Sequence, residues 1–146
     1  MSRILAIDYG KKRCGVAVSD PLRIIANPLD TVPANQLLKF ITDYVAREDV
    51  QTIVIGEPHK LDGSDSETMT YIRPFLRQLK KALPDMQVEM VDERFTTKIA
   101  TRAMIDGGVS RKDRNNKSGL VDRVSATIIL QTYMEKLRLA TSPSTF

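Results

Sequence analysis

The hydrophobic and polar positions along the chain fall into two kinds of run, short apolar stretches and longer stripes at helical spacing. Residues 3–8 form an apolar run that ends in Asp8, and residues 15–19 form another. Gly10 and a basic cluster lie between them, which predicts a hairpin. Residues 24–32 predict a third strand, and Pro28 makes it an edge strand or an interrupted one. Over 34–47, Leu37, Leu38, Ile41, Tyr44 and Val45 recur as on one face of a helix. Residues 52–56 (Thr-Ile-Val-Ile-Gly) predict a buried strand stopped by Glu57-Pro58.

An exposed loop is expected over 58–64, where Asp62-Gly63 marks a turn. Ser64-Asp65-Ser66-Glu67 then has the form of a capping box, and Tyr71, Ile72, Phe75, Leu76 and Leu79 continue helically. Pro74 is expected to kink or split that helix. Residues 87–91 predict a strand that ends on Asp92-Glu93-Arg94. Thr96 or Thr97 would cap a helix running to about Asp106, where Gly107-Gly108 stop it. A polar loop follows over 110–118, then a well-buried helix over 119–137 and a loose tail over 138–146. Strands separated by helices pair in parallel, whereas the opening hairpin is antiparallel. The expected fold is therefore α/β, a five-stranded mixed sheet flanked by helices, in one domain over 1–137.

Composition narrows the function classes. With 146 residues the chain is long enough to bury a core without disulfides or structural metal, and its single cysteine, Cys14, excludes a disulfide framework or a cysteine zinc site within it. No apolar run approaches the roughly 18 residues that cross a membrane, and the chain opens on a strand-like run rather than a signal peptide. A cytoplasmic protein is expected, with no membrane partner. The net charge of +4 says little by itself, but its distribution says more. Between Arg94 and Arg123 there are eight basic residues against three acids. A localised basic region is the footprint of a protein that meets phosphate backbones, although a solvated charged face has the same composition.

Three acids stand at element ends: Asp8 after the first strand, Asp92-Glu93 after the last, and Asp122 in the first turn of the final helix. If the first strand runs parallel to the later ones, Asp8, Glu57 and Asp92/Glu93 emerge at one edge, where open α/β sheets place their sites. Ser125 and Ala126 are small and would let the helix carrying Asp122 approach that edge. Clustered carboxylates repel one another unless a cation lies between them, and Mg2+ or Mn2+ prefers oxygen ligands. Two such ions can promote in-line phosphoryl displacement. Taken singly, each acid also has an ordinary structural role as turn former, helix-start acid or surface charge.

The order of motifs carries a resemblance. Asp8-Tyr9-Gly10-Lys11-Lys12-Arg13-Cys14-Gly15-Val16-Ala17-Val18-Ser19-Asp20 resembles the opening motif of the YqgF/RuvX family. Ile55-Gly56-Glu57-Pro58 with Asp62-Gly63-Ser64, then Asp92-Glu93-Arg94-Phe95-Thr96-Thr97, then Val121-Asp122 before Ser125-Ala126-Thr127-Ile128-Ile129-Leu130-Gln131 resemble its later motifs in the same order. The resemblance spans about residues 3–137. It implies a ribonuclease H-like fold and a nuclease, a hydrolase acting on ester bonds that matures the 5′ end of pre-16S ribosomal RNA or resolves Holliday junctions. It also implies that Asp8, Glu93 and Asp122 are the metal-binding catalytic acids. Many family members carry Leu at the position of Glu57, which is then either an additional ligand or a loop acid beside Pro58.

Other residues fit a nucleic-acid partner, precursor ribosomal RNA or branched DNA. The hairpin tip offers Lys11, Lys12 and Arg13 to phosphate, and Arg94, Lys98 and Arg102 share one helical face. Thr97 is a helix cap first and a phosphate contact second, and the lone His59 reads as a surface residue. Aromatics make up only 5% and there is no Trp, so recognition by backbone and shape is favoured over base stacking. The protein is expected as a monomer or weak homodimer. Two other classes fit less well: an ATP-binding phosphotransferase, for which the chain is short, and a non-catalytic ribosome-assembly module.

Overall fold

The computed structural model describes residues 2–58, 67–92 and 120–141. Strands β1 (Arg3–Asp8), β2 (Arg13–Ser19) and β3 (Ala26–Pro33) open the chain. A 3-10 turn (Ala34–Gln36) leads into α1 (Leu37–Arg47), followed by β4 (Val50–Glu57), α2 (Met69–Ala82), β5 (Gln87–Asp92) and α3 (Leu120–Thr141). The five strands form one sheet in the order β3-β2-β1-β4-β5. The hairpins β1–β2 and β2–β3 pair antiparallel, while β1–β4 and β4–β5 pair parallel, as the helical crossovers require. The expected mixed sheet is the one found.

Strand alternation divides the core into two layers. Leu5 and Ile7 of β1, Cys14, Val16 and Val18 of β2, and Ile53 and Ile55 of β4 face α1 and α2. Ile4 and Ala6, Ala17, Val54 and Val91 face α3, where Ala126, Ile129, Leu130, Tyr133 and Met134 cover them. Helix α1 buries Leu37, Ile41 and Tyr44, and α2 buries Met69, Ile72, Phe75 and Leu79, each set at helical spacing. Burying one such aliphatic side chain contributes about 1.5–3 kcal/mol, so the sheet is held from both faces.

Several local expectations are adjusted. Strand β3 is an edge strand, as Pro28 required, and the register of its pairing with β2 shifts where Ala17 meets Pro28. A residue without an N–H is tolerated at such a shift. Residues 34–36 form a 3-10 turn rather than the first turn of α1. Helix α2 begins at Met69 with Thr68 as its N-cap and no side-chain cap bond, and residues 64–66 of the expected capping box lie outside the described residues. The Glu67 carbonyl instead accepts Thr70 N–H at 3.1 Å and Thr70 Oγ1 at 2.8 Å. Its first helical residue, Met69, is also the first one it buries.

Pro74 lies inside α2 without splitting it. It forfeits one hydrogen bond in the second turn, while the buried residues on either side hold the helix on the sheet. Helix α3 runs to Thr141, beyond the expected end at Leu137, and Arg138 pairs with Glu135 at 3.0 Å in the added turn. Among the described residues no helix is long and apolar enough to cross a membrane. The loop expected at 58–64 lies outside the described residues beyond Pro58, as do the helix near Thr96, the 110–118 loop and residues 142–146.

Candidate active site

Because β1, β4 and β5 are parallel, their last residues, Asp8, Glu57 and Asp92, reach one edge of the sheet. The antiparallel β2 starts at that edge, with Asp8 paired to Gly15. Alternation then separates the acids. Asp8 continues the Ile4, Ala6 series that faces α3, whereas Glu57 continues the Ile53, Ile55 series that faces α1 and α2. Asp92 is paired with Glu57 and follows Val91, which faces α3, so Asp92 takes the α1/α2 face too.

Helix α3 brings Asp122 to the Asp8 side of the edge. A Cβ built on Gly15 would overlap the main-chain carbonyl of Asp122 and lie 3.0 Å from Arg123 N. Only a glycine admits the first turn of α3 this closely to the strand. Ser125 and Ala126 are buried one turn further on, as their small size led one to expect. Two side-chain bonds lock the turn in place: Arg13 Nε to Asp122 Oδ2 at 2.9 Å, and Arg123 Nη1 to Thr31 Oγ1 at 3.1 Å. Asp122, Gly15 and Asp8 thus form a compact row across helix, β2 and β1.

The electrostatics of this corner are strained by burial. Burial pushes the Asp122 carboxyl above its ordinary range, and the Arg13 and Arg123 guanidiniums pull it back only in part. The Cys14 thiol, fully buried beneath the corner, is pushed up to about 12, by burial first and by the Asp8 and Asp122 carboxylates in addition. The Ser125 hydroxyl, one turn along α3 from Asp122, is buried with no hydrogen-bond partner among the described residues.

The hairpin tip is held from two sides. Ala34 N–H donates to the Lys12 carbonyl at 2.9 Å, and a Cβ on Gly10 would collide with the Arg13 carbonyl. Lys11, Lys12 and Arg13 are exposed there, as a phosphate-facing loop requires. Two of the three have inward partners: Arg13 binds Asp122, and the Lys11 ammonium lies 5.6 Å from the centre of the Tyr71 ring. Glu93, Arg94, Thr97, Lys98, Arg102 and His59 lie outside the described residues. Among the described residues no group of three His, Cys, Asp or Glu side chains gathers to hold a metal ion. Asp8 and Asp122 are two oxygen donors at the corner. Reading the sequence missed Gly15 as the contact that seats α3. The signal was present in its place in the hairpin, but a glycine opening a strand does not by itself announce a helix packed on it.

Comparison with known proteins extends this picture. The fold is similar to that of T. thermophilus RuvC, solved in complex with a Holliday junction substrate. The TM-score is 0.56 at 14% identity, covering 94% of this chain and 96% of that one. The likeness identifies the architecture as ribonuclease H-like. A protein of Bacteroides fragilis named "Putative pre-16S rRNA nuclease" is 59% identical over 139 residues, 95% of this chain and all of that protein. A protein of Phocaeicola vulgatus with the same name is 60% identical over 135 residues, 92% of this chain and 96% of the relative. The family model described as "RuvX: Holliday junction resolvase" matches residues 2–136. With the motifs, the fold and these relatives in agreement, the chain belongs to the RuvX family, also called YqgF.

Proposed function

We propose that this protein is a metal-dependent nuclease that hydrolyses phosphodiester bonds in structured RNA, trimming the 5′ end of the 16S ribosomal RNA precursor in the cytoplasm. The reading rests above all on the seating of α3 against Gly15, which sets Asp122 beside Asp8 at the carboxyl edge of the sheet. The name shared by relatives at 59% and 60% identity over nearly the whole chain favours the RNA substrate.

In this reading Asp8, Asp122 and Glu93 hold Mg2+ or Mn2+, and Glu57, on the other face of the sheet, takes no part. The donor set fits such an ion: hard carboxylate oxygens lie at a half-buried corner, where burial already disfavours the charge of Asp122. When bound, a pair of these ions would activate water and stabilise the leaving oxygen. The chain's own residues have separate tasks. Arg13 fixes the orientation of the Asp122 carboxylate, and the packing of α3 on β2 keeps the two acids at constant separation. Lys11 and Lys12, with Arg94, Thr97, Lys98 and Arg102, hold the phosphate backbone across the edge.

A second reading is resolution of branched DNA, which the description of the matching family favours. One experiment tests both. End-labelled precursor ribosomal RNA and a four-way DNA junction are incubated with magnesium, manganese or chelator. Metal-dependent cleavage of the RNA, abolished by Asp8→Asn and by Asp122→Asn, is expected. Cleavage of the junction alone selects the second reading. Tight binding of RNA with no cleavage, unchanged by both substitutions, makes the protein a non-catalytic assembly factor.

A further inference from the structure

Arg13, expected at the hairpin tip to meet phosphate, is paired with a carboxylate, Asp122. That pair uses only part of the arginine. A guanidinium carries five N–H donors in a rigid planar fork. The bond to Asp122 Oδ2, at 2.9 Å, comes from Nε alone. Among the described residues neither Nη of Arg13 has a hydrogen-bond or ion-pair partner. The Arg13 side chain is 45% accessible and that of Asp122 25%, so the pair is more closed on the side of the acid and more open on the side of the arginine.

The main chain of Arg13 is held as well. It pairs with Pro33 in the sheet, and its carbonyl lies against Gly10. The carbonyl of the preceding Lys12 accepts Ala34 N–H at 2.9 Å. An arginine anchored at its backbone and at Nε has already lost much of its rotamer freedom, so a second anion orders it at little further cost. With Nε on Asp122, the plane of the fork is set, and the Nη edge matches two oxygens of one phosphate. Lys11 and Lys12 beside it offer charge but no such plane.

We infer that Arg13 bridges two anions, holding Asp122 through Nε and taking a phosphate of the bound RNA on its Nη edge, next to the Asp8–Asp122 corner. Asp122 is then also a positioning residue for substrate binding, acting through Arg13. The inference rests on the nuclease reading for the identity of the substrate, but on neither a metal ion nor cleavage. The bridge reverses the sign that charge alone dictates. Removing a carboxylate from a surface that meets a polyanion should tighten binding. Removing Asp122 should loosen it, because the fork loses the acid that orients it.

The test measures affinity for a labelled fragment of precursor ribosomal RNA in chelator, so that no cleavage intervenes. D122A should bind about threefold more weakly than the parent, or worse. D8N removes a charge from the same corner but leaves the Arg13 pair in place, and should bind at least as tightly as the parent. R13Q should weaken binding about tenfold and lower the slope of log K against log salt by about 1. R13K keeps the charge without the fork and should recover little of that loss. In the R13Q background D122A should no longer weaken binding, and this change of sign is what a purely structural role of Arg13 would not produce. Melting temperatures check that the variants are folded. R13Q and R13K, at an open side chain, carry the test by themselves if D122A does not fold. If the RNA is not bound in chelator, if folded D122A binds as tightly as the parent, or if R13K binds as the parent does, there is no bridge. The predicted pattern in a protein that cuts neither precursor RNA nor junction would end the nuclease reading and leave the bridge standing. Metal-dependent cleavage with none of these binding effects would do the reverse.

Discussion

Gly15 and Asp122, more than a hundred residues apart in sequence, meet so closely that a side chain on Gly15 would occupy the position of the Asp122 carbonyl. That contact is the hinge point of the candidate site, because Gly15 is the register partner of Asp8. Gly15→Ala forces the first turn of α3 off the sheet. Overpacking of this kind costs about 1–3 kcal/mol, which lowers the melting temperature without preventing folding. If Asp122 and Asp8 hold a metal ion together as proposed, activity should suffer far more, falling at least about tenfold, because a displacement of even an ångström breaks the shared site. Melting curves together with cleavage rates check this, and a variant as active as the parent would show that the close approach is packing alone.

Arg13 has an electrostatic task that stability measurements will barely register. The pair with Asp122 is partly exposed, with the Arg13 side chain 45% accessible, so Arg13→Gln should cost less than about 1 kcal/mol. Burial raises the Asp122 pKa and Arg13 is the largest influence opposing it. For a carboxyl raised in the native state, the stabilising contribution is full below the unfolded value and is lost as the pH climbs through the native one. In the chelated protein, a carbon-detected titration should place Asp122 above the ordinary aspartate range. Arg13→Gln should move it higher still, and the loss of stability should extend to correspondingly higher pH. An Asp122 that titrates identically in both proteins would mean that the pair is not formed in solution.

Glu57 and Asp8 end neighbouring parallel strands yet belong to opposite faces of the sheet. Glu57→Gln is therefore expected to leave metal-dependent cleavage within about twofold of the parent, while Asp8→Asn abolishes it. Manganese titrations of cleavage rate on both variants compare them directly. A large rise in the metal requirement of Glu57→Gln would bring that acid into the site.

Cys14 is fully buried and its thiol is raised to about 12, so almost no thiolate exists at neutral pH. A disulfide-exchange reagent at pH 8 should leave it unmodified in the native protein and label it at once in denaturant. The same shift has a consequence for alkaline stability. The contribution is complete below the unfolded value of 9.0 and is lost as the pH rises towards 12. Rapid native labelling would place the thiol nearer the surface than the structure does.

Short apolar runs and stripes at helical spacing were enough to locate all five strands and the three described helices, because burial leaves its pattern in the bare sequence. Pro28 announced the edge strand, since a residue without an N–H has no place in the middle of a sheet. The motif order was enough to identify the family, and it nominated Asp8, Glu93 and Asp122 as candidate acids. What the sequence could not supply was the meeting of elements distant along the chain. Whether Glu57 shares a face with Asp8 depends on strand parity counted across a register that includes the shift between Arg3 and Ile4. Gly15 read simply as the first residue of the second strand, and only the packing of α3 shows what it admits. Periodicity is local and is written residue by residue. The separation of two carboxylates is set by packing between distant segments, and only the folded chain decides it.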